Sequence, residues 1–168
     1  MSGAKIEIIV DGKAEFDRTF SRLDANFEDL SPIWPDVRDK FWQIEQEQFD
    51  SEGGKGGSGR WKNLSPRYAK QKIKRYGAGV KILEASGDLL RSLTSDAPGS
   101  YYYAGKKEVA IGTTLARGIY HQRGEGRLPK REPISFGDKQ KRELMKVIQG
   151  ALVRELRKGN YYVPVTDR

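Results

Sequence analysis

Three stretches of this chain repeat large apolar residues at the pitch of an α-helix, and no other feature restricts the fold as much. Phe16, Phe20, Leu23, Phe27 and Leu30 follow one another at steps of four, three, four and three, which places them on one helical face. Ser31-Pro32 and Pro35 then break the chain. A second stripe of Val37, Phe41, Ile44 and Gln48, flanked by Trp42 and Phe49, predicts a helix over 36–49. The third stripe runs through Leu144, Ile148, Ala151, Leu152 and Glu155, with Val147 and Leu156 beside it, and predicts a long C-terminal helix over 138–158. Asp138 at its start and Arg157-Lys158 at its end suit the helix dipole, and Gly159 stops it.

Shorter elements lie between and before these helices. Residues 5–10 (KIEIIV) read as a strand closed by Asp11-Gly12. Five glycines in the seven positions from Gly53 to Gly59 cannot hold a regular element without a large entropic cost, so 51–60 is expected to be a mobile loop. Ser65 as N-cap and Pro66 at the first position start a helix over 66–76 that ends at Gly77. Ser86 is expected to cap a short helix carrying Leu89, Leu90 and Leu93. Residues 101–104 and a run with Val109, Ala110 and Ile111 flank Gly105-Lys106-Lys107 as a β-hairpin. Residues 131–136 read as an added strand, confined to an edge by Pro133. The sum is an α+β fold, amphipathic helices packed around a small antiparallel sheet, in one domain over 1–168 with a short tail at 159–168.

Charge is divided unevenly along the chain. Residues 1–52 hold thirteen Asp/Glu against six Lys/Arg, a net of −7, whereas 53–168 hold ten against twenty-five, a net of +15. From Gly53 to Leu83 there are nine basic residues and no carboxylate. Such asymmetry implies an anionic partner or packing of an acidic face on a basic one. There is no cysteine, which removes disulfides and thiolate chemistry. No apolar run approaches the ~20 residues that cross a bilayer. The N-terminus carries Glu7 inside its apolar stretch and lacks a signal-peptide pattern, so a soluble, non-exported protein is expected.

The chemical motifs are weak. Gly54, Gly56 and Gly59 match the spacing of a dinucleotide fingerprint, but a predicted helix precedes them and Arg60-Trp61 follows, where a strand and then a helix are required. No Gly-Lys-Ser/Thr closes a phosphate loop. His121 is the single histidine, so a His/Cys metal centre has no second ligand, and no G-x-S-x-G supplies a nucleophile. His121 is expected to be a hydrogen-bonded structural residue, and Glu125 and Glu132 to form surface ion pairs. No catalytic residue, cofactor or metal is expected. Bases interleaved with Trp61, Tyr68 and Tyr76 suit phosphate contact with base stacking, so a nucleic-acid-binding protein acting in packaging or regulation stands as the second reading.

Order and spacing say more than any single motif. Trp61-x-x-Leu64-Ser65-x-x-Tyr68 is followed by Ile82-Leu83-x-x-Ser86-Gly87-x-Leu89-x-x-Ser92 and then by Val109-x-Ile111-Gly112-Thr113. His121-Gln122-Arg123-Gly124 and the run Pro129, Arg131, Pro133, Phe136-Gly137 complete the series before the last helix. Over roughly 41–157 this resembles the phage virion morphogenesis family of Mu-like phages, which also includes tail completion proteins. The last block is two residues longer than the family's, and Leu115-Ala116 stands where the family has Tyr-Ala.

The resemblance implies a non-enzymatic structural virion protein of the phage neck, a tail completion, terminator or head–tail joining component, assembled in the host cytoplasm. Its implied partners are further copies of itself in a hexameric ring and neighbouring tail tube, sheath or connector proteins, with non-specific contact to genome DNA and none to a membrane. On that reading the surfaces offered to neighbours are Lys55, Arg60, Trp61, Lys62, Arg67, Lys70, Lys72 and Lys74 in the basic stretch, and the run Tyr120, His121, Gln122 and Arg123.

Overall fold

The computed structural model describes residues 29–126 and 128–158. The expected strand 5–10, nearly all of the helix over 16–30, and the tail lie outside the described residues. A short 3-10 turn, Ser31–Ile33, leads into α1 (Trp34–Asp50), and α2 spans Pro66–Tyr76. Then come α3 (Asp88–Thr94), β1 (Ser100–Ala104), β2 (Val109–Thr113), α4 (Ala116–Arg123) and α5 (Asp138–Arg157). The architecture is α+β, with the expected long C-terminal helix.

The core forms around α1, whose buried face carries Val37, Phe41, Ile44, Gln48 and Phe49. That face packs against α3 and α5. From α5 it meets Leu144, Ala151 and Leu152, and Leu89 and Leu93 come from α3. Two ion pairs rim the α1–α5 seam, Lys40 to Glu143 at 2.7 Å and Arg154 to Asp36. Phe49 meets Trp61 edge-on at 5.2 Å, which closes the core beneath the glycine-rich loop. Packing of this kind, rather than helix propensity, carries most of a helix's stability.

Among the described residues the sheet is one antiparallel hairpin with Tyr101 opposite Gly112 and Tyr103 opposite Ala110. Two strands alone are marginal in water, so the pair depends on what covers it. β2 supplies buried Ala110, Ile111 and Thr113, while Tyr102 and Tyr103 of β1 face solvent. Ser92 on α3 and Thr113 on β2 share a buried hydroxyl–hydroxyl bond of 2.8 Å. The hairpin turn is tied to the start of α1, where the Trp34 indole donates to Gly105 O at 2.7 Å and Leu30 N–H to Lys106 O at 2.6 Å.

Two sequence expectations need correction, and one element is new. Ser86 does not cap α3: Gly87, at φ +75°, holds the N-cap position, and Ser86 donates its hydroxyl to the Asp88 carboxylate at 2.6 Å. Residues 131–136 form no strand, because Pro133 lacks a donor and the backbone of Ile134 is bonded instead to the Gln122 side chain. α4 has no counterpart in the sequence reading. It is short, holds Gly118 in its interior and has no side-chain cap, so local signals are absent.

Glu45 sits on α1, 0 % exposed, and neither carboxylate oxygen has a hydrogen-bond partner. Burial pushes its carboxyl well above the usual carboxylate range, so the native state holds the proton. Above the ordinary glutamate value the unfolded chain releases a proton that the folded chain keeps, so stability falls as pH rises until the folded group itself ionises. Urea unfolding of the wild type should show that decline from pH 5 upward, and Glu45→Gln should flatten it. Glu45→Met should be more stable by ~1–3 kcal/mol at pH 7, since an unbonded buried polar group is removed at similar volume.

Candidate functional site: a cationic cleft

Four of the motif blocks quoted above converge on one cleft of about 820 Å³. Lys62 to Ser65 and then Tyr68 and Lys72 of α2 form one side. Leu83, Ser86 and Leu89 form the base, and Arg117 and His121 of α4 with Leu128, Pro129 and Arg131 form the other side. α2 is placed there by sequence alone: Ser65 Oγ accepts from Tyr68 N–H at 3.4 Å, Pro66 occupies the first turn, and Gly77 ends the helix at φ +92°.

The charged side chains around the cleft are of two kinds. Lys72 is 4 % exposed and Arg131 5 % exposed. Lys72 donates to Lys81 O, and Arg131 donates through Nε to Lys62 O at 2.7 Å and through a terminal nitrogen to Asn63 O at 3.1 Å. Burial lowers the pKa of both, and Glu84 and Glu52 partly counter this for Lys72. By contrast Arg117 is paired with Asp88 at 2.9 Å, and Asp88 is held below its ordinary value by its hydrogen bonds from Ser86 and Arg117.

The candidate residues named from sequence separate accordingly. Lys55, Arg67, Lys70 and Lys74 are exposed, and Arg60 reaches Glu52 at 3.8 Å. Trp61 is no surface residue: it lies in the core, with its indole donating to Glu132 O at 2.9 Å. Lys72 is likewise buried, and lines the cleft. Tyr120 is 49 % exposed and Arg123 pairs with Glu125 at 3.2 Å. Glu132 pairs with Lys130, so both expected surface ion pairs of Glu125 and Glu132 form.

Gln122 acts as a clamp. Its amide donates to Ile134 O at 2.9 Å and its carbonyl accepts from Ile134 N–H at 3.2 Å, replacing the strand partner that Ile134 lacks. His121 is half-buried, and its Nδ1 is enclosed with no partner, contrary to the hydrogen bond expected for it. Burial and the nearby Arg131 lower its pKa, so the ring is neutral at pH 7. Its backbone carbonyl, not its ring, holds the wall together by accepting from Arg131 N–H at 2.9 Å.

Arg131 and Arg117 are the cleft residues that the sequence reading missed. The signal for Arg131 was its place between Pro129 and Pro133 in the last motif block; nothing local marks Arg117. Among the described residues no cluster of three or more His, Asp or Glu is placed to hold a metal ion, and no helix is long and apolar enough to cross a membrane. The cleft thus combines the apolar side chains of Leu64, Leu83, Leu89 and Leu128 with the bases Lys62, Lys72, Arg117 and Arg131.

The model of the phage virion morphogenesis family matches residues 11–154, nearly the whole chain and the whole of the cleft. No curated protein and no solved structure matches it.

Gln122→Ala strips two bonds from the buried backbone of Ile134 and should cost ~1–3 kcal/mol in urea unfolding. Tyr120→Ala, one residue from the cleft wall and exposed, should change stability by less than about 0.5 kcal/mol. Equal losses in the two variants would contradict the clamp.

Proposed function

Because the chain belongs to the phage virion morphogenesis family, we propose that it is a non-enzymatic structural protein of the neck, completing the tail or joining it to the head as a ring of identical subunits. The observation that carries this reading is α2. Lys72 is the only buried residue of this helix, so α2 stands out from the body of the domain. It exposes Ile73 at 55 %, together with Tyr68 and Tyr76, among Arg67, Lys70, Lys74 and Arg75. Large apolar side chains left open on a basic helix mark a surface meant for another protein.

A ring places unlike faces against each other, one subunit's front on its neighbour's back, and a six-fold tail makes a hexamer the natural closure. The −7 and +15 halves of the sequence supply opposite faces for that contact. The second reading, nucleic-acid binding, draws on the same helix, since phosphate contact also needs Arg67, Lys70 and Lys74 exposed. The two differ in salt dependence and in what reversal of charge destroys.

Arg67→Glu/Lys70→Glu/Lys74→Glu should fold with wild-type stability, because all three side chains are exposed. Electron microscopy of phage carrying the triple variant should show filled heads and separate tails, as should phage lacking the protein. DNA binding by the wild type should be weak and blind to sequence at physiological salt. Tight binding to one DNA sequence, with normal virions from the triple variant, would overturn the assembly reading.

A further inference from the structure

The cleft holds more positive charge than the described residues neutralise. Neither Arg131 nor Lys72 forms an ion pair among them, although both are nearly buried and donate only to backbone carbonyls. Glu84 and Glu52 act on Lys72 without touching it, and no carboxylate among the described residues offsets Arg131. A buried cation without a direct counter-charge is costly, and an acidic occupant would relieve that cost. Lys62 stands exposed at the rim, and His121 Nδ1 is enclosed in the wall without a partner. The apolar part of the lining is Leu64, Leu83, Leu89 and Leu128, with Leu83 and Leu89 at the base. A free inorganic anion would leave that floor uncovered, and a purely apolar segment would leave the charges unanswered. The fitting occupant is apolar along one side and acidic along the side next to it.

The chain contains such a segment. Ahead of Asp29, Phe16, Phe20, Leu23 and Phe27 share one helical face, and Asp17, Asp24 and Glu28 fall along the flank beside it. Arg18 and Arg22 fall on the far side. As a helix, the fourteen residues 15–28 would span about 21 Å. The point of attachment argues for a neighbour's cleft. Leu30 is bonded to Lys106 at the hairpin turn, whereas the cleft wall begins at α4, beyond the opposite end of the two five-residue strands. That separation is about 13–17 Å at the rise of an extended chain, more than the ~7 Å that the two residues from Leu30 to Glu28 can span, so Glu28 does not reach the cleft of its own subunit.

We propose that the cleft is a socket for residues 15–28 of the adjacent copy, with the apolar stripe on the leucine floor and Asp17, Asp24 and Glu28 beside Arg131, Lys72 and Lys62. This rests on the ring reading and adds to it the contact that links one subunit to the next. Six arms in six sockets close the ring, and each subunit gives an acidic segment and receives one.

The absence of cysteine makes a direct test available. Full-length Ser21→Cys and full-length Leu128→Cys are mixed in equal amounts, their assembly is confirmed by light scattering, and a short bifunctional thiol reagent is added. Each chain then carries one thiol, so a linked heterodimer reports contact between copies. The yield should exceed that of a Ser21→Cys and Gly150→Cys mixture at least tenfold, Gly150 lying outside the cleft. Asp24→Lys/Glu28→Lys in the arm should return it to the control level with the circular dichroism unchanged.

An assembled sample in which Ser21→Cys links equally to both positions overturns the socket and leaves the ring standing. So does a Ser21→Cys/Leu128→Cys chain that links only to itself when diluted in excess wild type. If the chains stay monomeric at every concentration, the ring reading has failed separately. A labelled peptide of residues 13–29 added to the full chain then decides the socket: saturable binding that is lost in a peptide carrying the two lysines supports it, and no binding overturns it.

Discussion

Backbone that belongs to no helix or strand still has to find hydrogen-bond partners, and the run from Gly124 to Gly137 is where this chain meets that demand most sharply. Side chains supply what a sheet would have supplied. Gln122 takes both polar groups of Ile134, and Trp61 and Gln48 both donate to Glu132 O, at 2.9 and 3.4 Å. Ser135 accepts from Gly57 N–H at 3.3 Å through its carbonyl and from Ser58 N–H at 2.8 Å through its hydroxyl. The glycine-rich loop, the end of α1 and the wall of the cleft are therefore joined through one irregular strip. Gly57 fits there because a Cβ would come within 2.7 Å of Phe136 O.

That strip changes the meaning of the motifs. Trp61 and Gln122 look like functional residues in sequence because they are aromatic or polar, and with Arg131 they fall in separate short blocks. In the fold they are braces: an indole in the core, an amide in place of a strand, a guanidinium gripping two carbonyls of the approach to α2. The family's signature thus describes how the cleft is built. The open bases and aromatics of α2 differ in kind, being exposed to solvent.

Electrostatics adds a tension that packing does not resolve. Burial pushes the Glu45 carboxyl upward in the core, toward its neutral form, and pulls the pKa of Lys72 and Arg131 downward at the cleft. A buried carboxylic acid can lose its charge by binding a proton near neutral pH, whereas a guanidinium cannot shed one there. Arg131 therefore keeps its charge and draws on backbone dipoles, which makes the cleft electropositive in a way that net charge alone does not locate.

The sequence determined the elements whose signals are local. The stripe Val37, Phe41, Ile44 and Gln48 marks α1, Ser65-Pro66 and Gly77 bracket α2 without error, and Gly105-Lys106-Lys107 separates the hairpin strands. Periodicity and capping act within a few residues and can be read from them. What only the tertiary structure decided depends on partners far along the chain. Ile134 finds Gln122 and so never becomes a strand, and α4 forms without a cap because Gly118 packs closely against Thr113 and Leu89. Trp61 and Lys72 leave the surface for the same reason. Whether a side chain is buried depends on what folds over it, and that cover comes from residues more than 70 positions away in the case of Trp61, a distance over which local pattern carries no information.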